Sequence, residues 1–508
     1  MAKRNFPPNG GHNNLRKALF VGAKRIDTPE FFVVRNPSDC RDVVAEVACA
    51  RPEDVEEAIL SAREALKTWK RMSIIERARI LQEAGRVIQD RFLDIAQVIS
   101  REIGKLLREA LKEVRKSRDF FEYYGGFGRL PVGTLLAQES EGSEVVVRKE
   151  PRGVVGIITP WNDPLLTVSR KLCPALVSGN SVLLKPAPEA PVVALLLAEI
   201  LDEVGLPRGV LSVLTGPDDE VGKWLVSAEG IDAISFTGST AVGLEIQKAA
   251  AGRNVAVQTE MGGKNTTVVL GDADMDAALE AIMDGAFTQA GQRCTATSRL
   301  LVSAELYDQL LAKLRDRIAH MSVGPATLDT SDMGPVISFK RRDELVHIVE
   351  KLGNENATVL CAGNTVEDGQ CAYGSFMSPT LVGDVPLSSA AWSQELFGPV
   401  LAARSFVDLD EAIELVNGTS YGLSAALFSS NLQAVSYFAS EVDVGCVAIN
   451  LPTAGWDVHV PFGGFKMSGF GSKEQGEVGI DFYTRQKTVA ARSVIVRKLS
   501  SRVSLDED

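Results

Sequence analysis

Glu260 and Cys294 are the residues of the 508-residue chain whose types and settings most suggest covalent chemistry. Glu260 lies in the glycine-rich segment TEMGGKN (259–265), and Cys294 lies in the small-residue segment GQRCTA (291–296). A thiol needs a base to become a nucleophile, and a water molecule needs a base to attack a thioester. A glutamate that the fold brings near a cysteine can serve both needs, so the pair predicts covalent catalysis if the two side chains meet.

The cysteine and histidine usage argues against a metal or disulfide framework. Seven cysteines are scattered without any CxxC pair, and the four histidines form no HExxH motif. Such a pattern disfavours a zinc ribbon and a His-based metal site, and it indicates a reducing compartment. We therefore expect no metal and a cytoplasmic location.

The net charge of −12 excludes further classes of partner. An acidic chain is poorly suited to bind nucleic acid or an anionic membrane through its overall field. The polar N-terminus, MAKRNFPPNGGHNNLRK, has no apolar core of a signal peptide, and no apolar run reaches 18 residues. We expect neither a nucleic-acid partner nor a membrane association.

The elements that must position the two residues alternate between strands and helices. Strands are predicted at 154–160, 181–186, 210–216, 234–240 and 255–263, with helices at 164–179, 192–205 and 241–252. A second alternation has strands at 265–270, 298–302, 379–383 and 445–450, and helices at 274–289, 304–320, 408–417 and 431–441. This order predicts doubly wound parallel sheets that bind ligands at the carboxyl ends of their strands.

The remaining segments surround these two halves. We predict a flexible arm at 1–18, a hairpin within 30–49, helices between 52 and 124, and frayed residues after 499. The β-rich segments 131–149 and 485–498 have little core of their own, which suits a ribbon that contacts another subunit.

Seven motifs in a fixed order make the chain resemble the aldehyde dehydrogenase superfamily, from about Asn36 to Tyr483. They are PRGVVGIITPWN (151–162), LLKPAPEAP (183–191), FTGSTAVG (236–243), EMGGKN (260–265), GQRCTA (291–296), ELFGPV (395–400) and PFGGFKMSG (461–469). The resemblance implies an α/β fold with two doubly wound parallel-sheet domains and a β-ribbon oligomerisation element. The dinucleotide-binding domain would comprise 1–128 and 151–262, the catalytic domain 263–470, and the ribbon 129–150 and 478–500. It also implies a homodimer or homotetramer.

The resemblance assigns catalytic roles to four residues. The Cys294 thiolate would attack the aldehyde, and the resulting thiohemiacetal would become a thioester after hydride transfer. Glu260 would activate the water that hydrolyses the thioester. The Asn162 amide, with the backbone N–H of Cys294, would form an oxyanion hole, and Lys171 would support the Asn162 network and a proton route. The plainer alternatives are a buried apolar cysteine, a surface carboxylate, a turn asparagine and an exposed helix lysine.

A nucleotide site is predicted at the small-residue turn between the strand and the helix around Gly238. Small residues there let backbone N–H groups and the helix N-terminus approach a pyrophosphate, although any α/β protein has tight turns of this kind. By resemblance, the cofactor-binding residues are Ile158, Thr159, Pro160, Trp161, Lys185, Gly238, Ser239, Gly243, Met261, Gly262, Glu395 and Phe397. NAD-preferring relatives often carry Glu where this chain has Pro188, with Glu189 one position later. We therefore expect NAD, with NADP as the alternative.

Among the branches of the superfamily, the motifs are most similar to those of the alpha-ketoglutarate semialdehyde (2,5-dioxovalerate) dehydrogenases. Arg170 stands where related semialdehyde dehydrogenases use arginine to bind a distal carboxylate. Asp163 replaces a family aromatic. If helix 164–179 begins at its first residue, Asp163 shares a face with Arg170, and an ion pair between them would cancel the carboxylate binding.

Other residues complete the predicted substrate site. Asp163 could instead favour a cationic or hydroxylated aldehyde. Trp456 would add an aromatic wall, Thr295 would complete the lining, and Arg293 beside the nucleophile would lower the thiol pKa.

These features predict NAD(P)-dependent oxidation of a small aldehyde, with a carboxylate-bearing semialdehyde as the favoured substrate, to the free acid. The alternatives are a dehydrogenase for an aromatic, hydroxylated or amino aldehyde, and a non-catalytic structural member of the fold. A thiol hydrolase would need a histidine partner for the cysteine, and only His459 lies near the matched motifs.

Overall fold

A computed structural model describes residues 15–130, 133–140, 142–355 and 357–492. The first fourteen residues of the predicted arm, ribbon positions 493–500 and the predicted frayed end lie outside these ranges. Within the arm, Arg16–Lys17 forms a strand that pairs in parallel with Glu46 and Val47. The prediction of an arm is therefore wrong for this segment, because its backbone finds hydrogen-bonding partners on a neighbouring strand.

The N-terminal part consists of short strands, then four helices, then a hairpin. The elements are β1 (Arg16–Lys17), β2 (Leu19–Val21), β3 (Lys24–Ile26), β4 (Phe31–Asn36), β5 (Asp39–Ala48), α1 (Pro52–Trp69), α2 (Ile74–Asp90), α3 (Phe92–Ile103), α4 (Leu107–Gly125), β6 (Gly133–Leu136) and β7 (Ser143–Pro151). Helix α2 begins with a capping box between Ser73 and Glu76, and α3 ends at Gly104 with φ = 70°.

The predicted first alternation follows. Its elements are β8 (Val154–Ile158), α5 (Leu166–Val177), β9 (Ser181–Lys185), α6 (Pro191–Glu203), β10 (Leu211–Val213), α7 (Lys223–Ser227), β11 (Ala233–Thr237), α8 (Thr240–Ala251) and β12 (Ala256–Glu260). Strands β8, β9 and β11 are buried along their whole length, as expected when helices cover both faces of a sheet.

The second alternation contains more elements than the sequence analysis predicted. They are β13 (Asn265–Val269), α9 (Met275–Phe287), β14 (Thr297–Ser303), α10 (Tyr307–Ala319), α11 (Phe339–Leu352), β15 (Thr358–Cys361), β16 (Thr380–Gly383), α12 (Ala390–Ser393), β17 (Val400–Phe406), α13 (Leu409–Asn417), β18 (Tyr421–Gly422), β19 (Ser424–Phe428), α14 (Leu432–Glu441), β20 (Cys446–Ile449), β21 (Phe465–Lys466), β22 (Gly469–Phe470), α15 (Gly479–Tyr483) and β23 (Thr484–Arg492).

Two large sheets organise these elements. The first has the order β22-β12-β11-β8-β9-β10-β2-β3, and the second has the order β15-β16-β17-β14-β13-β19-β20. The inner strands are parallel, as predicted, whereas β2, β3, β15 and β22 are antiparallel additions at the edges. The α/β class is confirmed, and the sheets are mixed rather than wholly parallel.

The predicted ribbon is a three-stranded antiparallel sheet of β6, β7 and β23. Strands β7 and β23 pair continuously from Pro151↔Thr484 to Ser143↔Arg492. Positions 479–483 of the predicted ribbon are instead helix α15. The domain boundaries stay a prediction, and Phe470, at the end of the predicted catalytic domain, pairs with Thr259 in the first sheet.

Candidate active site

Four neighbouring strands of the first sheet end at one large cavity. Ile158, Lys185, Thr237 and Glu260 are the last residues of β8, β9, β11 and β12, and all four line a cavity of about 740 Å³. Carboxyl ends of parallel strands form the usual ligand crevice of a doubly wound sheet. The cavity therefore lies where the alternation of strands and helices predicted a ligand site.

The loop that carries Cys294 packs on the EMGGKN segment. Asn265 Nδ2 donates to the Cys294 carbonyl oxygen at 2.8 Å and to the Ala296 carbonyl oxygen at 2.9 Å. A Cβ at Gly263 would lie 2.7 Å from the same Cys294 oxygen, so only glycine permits this approach. The two motifs of the sequence are thus in direct contact.

Glu260 and Cys294 line the same cavity. Burial raises the pKa of Glu260 to about 7, although the charge of Arg170 opposes the shift. Within the described residues, neither carboxyl oxygen is placed to accept a hydrogen bond of ordinary length and angle. Burial and the neighbouring Glu260 charge raise the pKa of the Cys294 thiol well above its usual value. The cation that opposes this second shift is Arg170, rather than Arg293 as the sequence suggested.

Asn162 is buried in the loop after β8 and lines the same cavity. Its carbonyl oxygen accepts a hydrogen bond from Gln289 Nε2 at 3.3 Å. Among the described residues, none forms a hydrogen bond with its side-chain amide. The amide is therefore available to a ligand.

Lys171 lies behind the cavity rather than on its wall. Lys171 is 1% exposed. Its ammonium donates to Ser235 Oγ at 2.9 Å and pairs with Glu474. The hydroxyl of Tyr483 lies 3.3 Å from the same Ser235 oxygen. The interpretation of Lys171 as an exposed helix lysine is therefore wrong. Glu474 was missed because nothing in its local sequence signals a buried carboxylate.

Asp163 and Arg170 do not form the ion pair that was the alternative to carboxylate binding by Arg170. Asp163 Oδ1 lies 2.7 Å from Lys105 Nζ, and Arg170 Nη1 lies 3.6 Å from Glu474 Oε2. The guanidinium of Arg170 also stacks over the Phe462 ring at 4.8 Å. Each side chain thus has a different partner from an element remote in sequence.

The two remaining predicted substrate residues differ in setting. Trp456, like Cys294, packs against a small apolar cluster of Leu423, Cys446 and Phe462. Thr295 is buried, and its carbonyl oxygen accepts from Thr453 Oγ1 at 2.7 Å. Both flank the nucleophile loop.

Most of the predicted cofactor residues line the cavity. They are Ile158, Thr159, Pro160, Trp161, Lys185, Gly238, Ser239, Met261, Gly262, Glu395 and Phe397. Gly243 does not line the cavity. A Cβ at this position would collide with the Met261 side chain, so the glycine allows α8 to pack on the end of β12.

Ser239 and Glu395 show how the cavity wall is built. Ser239 Oγ accepts from the Val242 backbone at 3.4 Å and caps the N-terminus of α8, which faces the cavity. Glu395 Oε1 accepts from the Gly263 backbone at 3.1 Å, and burial raises its pKa to about 7. Glu189 and Lys223, which the sequence analysis did not assign to the site, line the same cavity.

The sequence profile of the Aldehyde dehydrogenase family matches residues 25–489. The chain belongs to the aldehyde dehydrogenase family. An aldehyde dehydrogenase oxidises a small aldehyde with NAD(P), and this chain is therefore an oxidoreductase of that kind.

Two relatives show how similar this aldehyde dehydrogenase is to characterised members. It is 38% identical over 456 residues to the alpha-ketoglutaric semialdehyde dehydrogenase of Bacillus subtilis, covering 90% of this chain and 93% of the relative. It is also 38% identical over 457 residues to the 2,5-dioxopentanoate dehydrogenase of Saccharolobus solfataricus, covering 89% of this chain and 95% of the relative.

A solved structure agrees with the computed fold. The betaine aldehyde dehydrogenase of Staphylococcus aureus in complex with NAD⁺ superposes with a TM-score of 0.91 at 30% identity, covering 96% of this chain and 97% of that one. Within the part of this aldehyde dehydrogenase that the structure describes, no helix has the length and apolarity to cross a membrane.

Proposed function

We propose that this aldehyde dehydrogenase converts a carboxylate-bearing semialdehyde to the free dicarboxylic acid through a covalent adduct on Cys294. The observation that carries the chemistry is that Cys294, Glu260 and Asn162 line one cavity at the carboxyl edge of a sheet. No other described cysteine combines a cavity position with an adjacent buried carboxylate.

Each residue has a defined part in the proposed reaction. Glu260 takes the proton of the Cys294 thiol as sulfur bonds to the aldehyde carbon, and the Asn162 amide donates to the oxygen that becomes negative. NAD held in the cavity would supply the acceptor for the hydride of that carbon, and the Cys294 adduct would then be a thioester. Glu260 gives up the thiol proton to solvent and then takes a proton from water, the resulting hydroxide adds to the thioester carbon, and the thiolate leaves.

The raised pKa of Glu260 suits the second half of this cycle. A carboxyl group with a pKa of about 7 is substantially ionised near neutral pH and is a stronger base than an ordinary carboxylate. The presence of this base supports hydrolysis of the thioester, and therefore a free acid as product.

The cavity fits a dinucleotide. The capped N-terminus of α8 suits a pyrophosphate, and the side chains of Lys185 and Glu395 suit ribose hydroxyls. We favour NAD because Glu189 supplies a carboxylate to the same cavity, one residue after Pro188. A carboxylate there would bind ribose hydroxyls and repel the 2′-phosphate of NADP.

Three neighbouring cations, Arg170, Lys116 and Arg293, support an anionic substrate. Burial, with smaller contributions from the charges of Arg170 and Arg293, lowers the pKa of Lys116 to about 8. Asp163 is paired with Lys105, which it shares with Glu113, and so attracts a cationic aldehyde less than an unpaired carboxylate would. The names of the relatives that act on alpha-ketoglutaric semialdehyde and 2,5-dioxopentanoate support the same substrate class.

We also propose a cytoplasmic homodimer or homotetramer. Strand β6 is exposed along its length and carries Leu135 and Leu136, which are 66% and 46% exposed. An exposed apolar edge strand is costly in an isolated subunit and suits pairing with another copy of the chain.

The experiment that tests the function is a panel of aldehydes with both coenzymes. The panel contains aldehydes of equal length that end in a carboxylate, an ammonium or a methyl group, and reduced coenzyme is measured by absorbance. We expect the carboxylate-bearing member to have the highest kcat/KM and Cys294→Ala to abolish turnover. A higher kcat/KM for the ammonium-bearing member would overturn the substrate class, and turnover by Cys294→Ala would overturn the mechanism.

A further inference from the structure

We propose that Gln289 is a positioning residue that holds the Asn162 loop and the Cys294 loop in register. The inference rests on the proposed roles of Cys294 and Asn162. Gln289 is buried and is not part of the cavity wall, so it would act through its neighbours rather than on the substrate.

The backbone before Cys294 has an unusual conformation at three successive residues. Gln289, Ala290 and Gly291 have φ angles of 57°, 53° and 68°. Residues with a Cβ rarely adopt this left-handed region and do so when the surroundings enforce it. Glu109 Oε1 accepts from the Gln289 backbone N–H at 3.0 Å, so helix α4 fixes the start of the turn.

The Gln289 side chain connects both loops of the site. Its Nε2 donates to Asp163 Oδ1 at 3.1 Å and to the Asn162 carbonyl oxygen at 3.3 Å. Its Oε1 accepts from Arg293 Nε, one residue before the nucleophile. One amide therefore joins the residue that offers the oxyanion donor to the residue that precedes the thiol.

The far end of this connection is anchored to two helices. Lys105 Nζ lies 2.7 Å from Asp163 Oδ1 and 2.5 Å from Glu113 Oε2. Glu113 Oε1 accepts from the backbone N–H groups of Leu165 and Leu166, at 2.9 and 3.1 Å, at the start of α5. Asp163 thus has a fixed position on the cavity wall, from which it supports Gln289.

Lys105 and Asp163 stay charged although burial disfavours the charge of each. Burial disfavours the charged form of Lys105, yet the neighbouring Asp163 and Glu113 carboxylates raise its pKa. Burial likewise disfavours the charged form of Asp163, but Lys105 lowers its pKa. The two groups remain an ion pair that holds the acceptor for Gln289.

The first test removes the amide. We expect Gln289→Ala to lower kcat and the rate of Cys294 alkylation by iodoacetamide about 10–100-fold, because small misplacements of reacting groups carry losses of this size. The KM for NAD should change less than about twofold, since the nucleotide wall does not contact Gln289. Gln82→Ala, which removes an exposed glutamine bonded to the Gly125 carbonyl, is the matched control and should leave both rates unchanged.

The second test reverses the hydrogen bond. Gln289→Glu places a carboxylate against Asp163 and should reduce alkylation and kcat, whereas the double variant Gln289→Glu, Asp163→Asn restores a donor facing an acceptor. We expect the double variant to recover at least about tenfold of the lost rate. A merely structural loss would lower the melting temperature without such recovery.

The outcomes separate this inference from the proposed function. If the parent enzyme does not oxidise the aldehyde, or if it keeps its activity after Cys294 is alkylated, the proposed function fails. If the parent is active but Gln289→Ala keeps the parent kcat and alkylation rate, or if the double variant is no better than Gln289→Glu, the positioning role is overturned.

Discussion

Nη1 of Arg170 lies 3.6 Å from Oε2 of Glu474, and both side chains are buried. This separation exceeds the 2.7–2.9 Å typical of a charge-assisted hydrogen bond. Because Glu474 also pairs with Lys171, this one carboxylate does not fully balance the charge of Arg170, which lines the cavity. Arg170 can therefore bind a substrate carboxylate, and Asp163 does not compete for its guanidinium.

The first prediction concerns this arginine. We expect Arg170→Leu to raise the KM for the carboxylate-bearing aldehyde about tenfold, because one charged contact is lost. The KM for an uncharged aldehyde of equal length should stay within about twofold, which provides the internal control. Equal effects on the two substrates would mean that Arg170 supports the site without binding the carboxylate.

The second prediction concerns the pH dependence of hydrolysis. Glu260 acts as a base only when ionised, and its pKa is about 7. The rate of thioester hydrolysis should therefore rise with pH up to about 7 and then level off. Glu260→Gln should release about one equivalent of reduced coenzyme per subunit, more slowly than the parent because the Cys294 thiol also loses its base, and then stop, as measured by rapid mixing. Steady turnover by this variant would show that another group activates the water.

The third prediction concerns stability at the same residue. Folding raises the pKa of Glu260 from 4.5 to about 7. Its contribution to stability is therefore fully present below about pH 4.5 and is lost as the pH rises through about 7. Since the full shift corresponds to about 3 kcal/mol, Glu260→Gln should gain about 2 kcal/mol relative to the parent between about pH 5.5 and pH 8. Urea unfolding at the two pH values measures this difference, and a pH-independent difference would contradict it.

The fourth prediction concerns the buried pair of Lys171 and Glu474. Their side chains are 0% and 5% exposed. Lys171→Met leaves Glu474 with Arg170, 3.6 Å away, as its partner. We therefore expect a loss of about 3–5 kcal/mol in the free energy of unfolding, and a smaller loss when Glu474→Gln is added. Lys313→Met breaks an exposed pair with Asp276, 40% and 83% exposed, and should cost less than about 1 kcal/mol. Equal losses at the two sites would refute the argument.

The fifth prediction concerns the coenzyme. Glu189→Gln removes a carboxylate from the cavity wall. We expect the ratio of kcat/KM for NAD to that for NADP to fall about tenfold, since repulsion of the 2′-phosphate is lost. An unchanged ratio, measured with one aldehyde, would show that Glu189 does not contact the ribose.

The sequence by itself determined the local features of this protein. The period of its apolar residues predicted the alternating strands and helices of the first sheet, and its motifs predicted that Glu260, Asn162 and Cys294 share a site. The strands and helices of the first sheet were predicted correctly because strand burial, helix ends and glycine turns depend on neighbouring residues in the chain. Strands β17 and β19 were missed, since short apolar segments between helices have no period that separates them from other buried structure.

Only the tertiary structure decided which charges pair. Lys105 reaches Asp163, and Glu474 reaches Arg170 and Lys171, across separations of 58 and about 300 residues. No local pattern contains such distances, because the partner of a buried charge is chosen by the packing of elements that are remote in sequence. The reaction type could therefore be predicted from the chain alone, whereas the Gln289 connection and the setting of Arg170 could not.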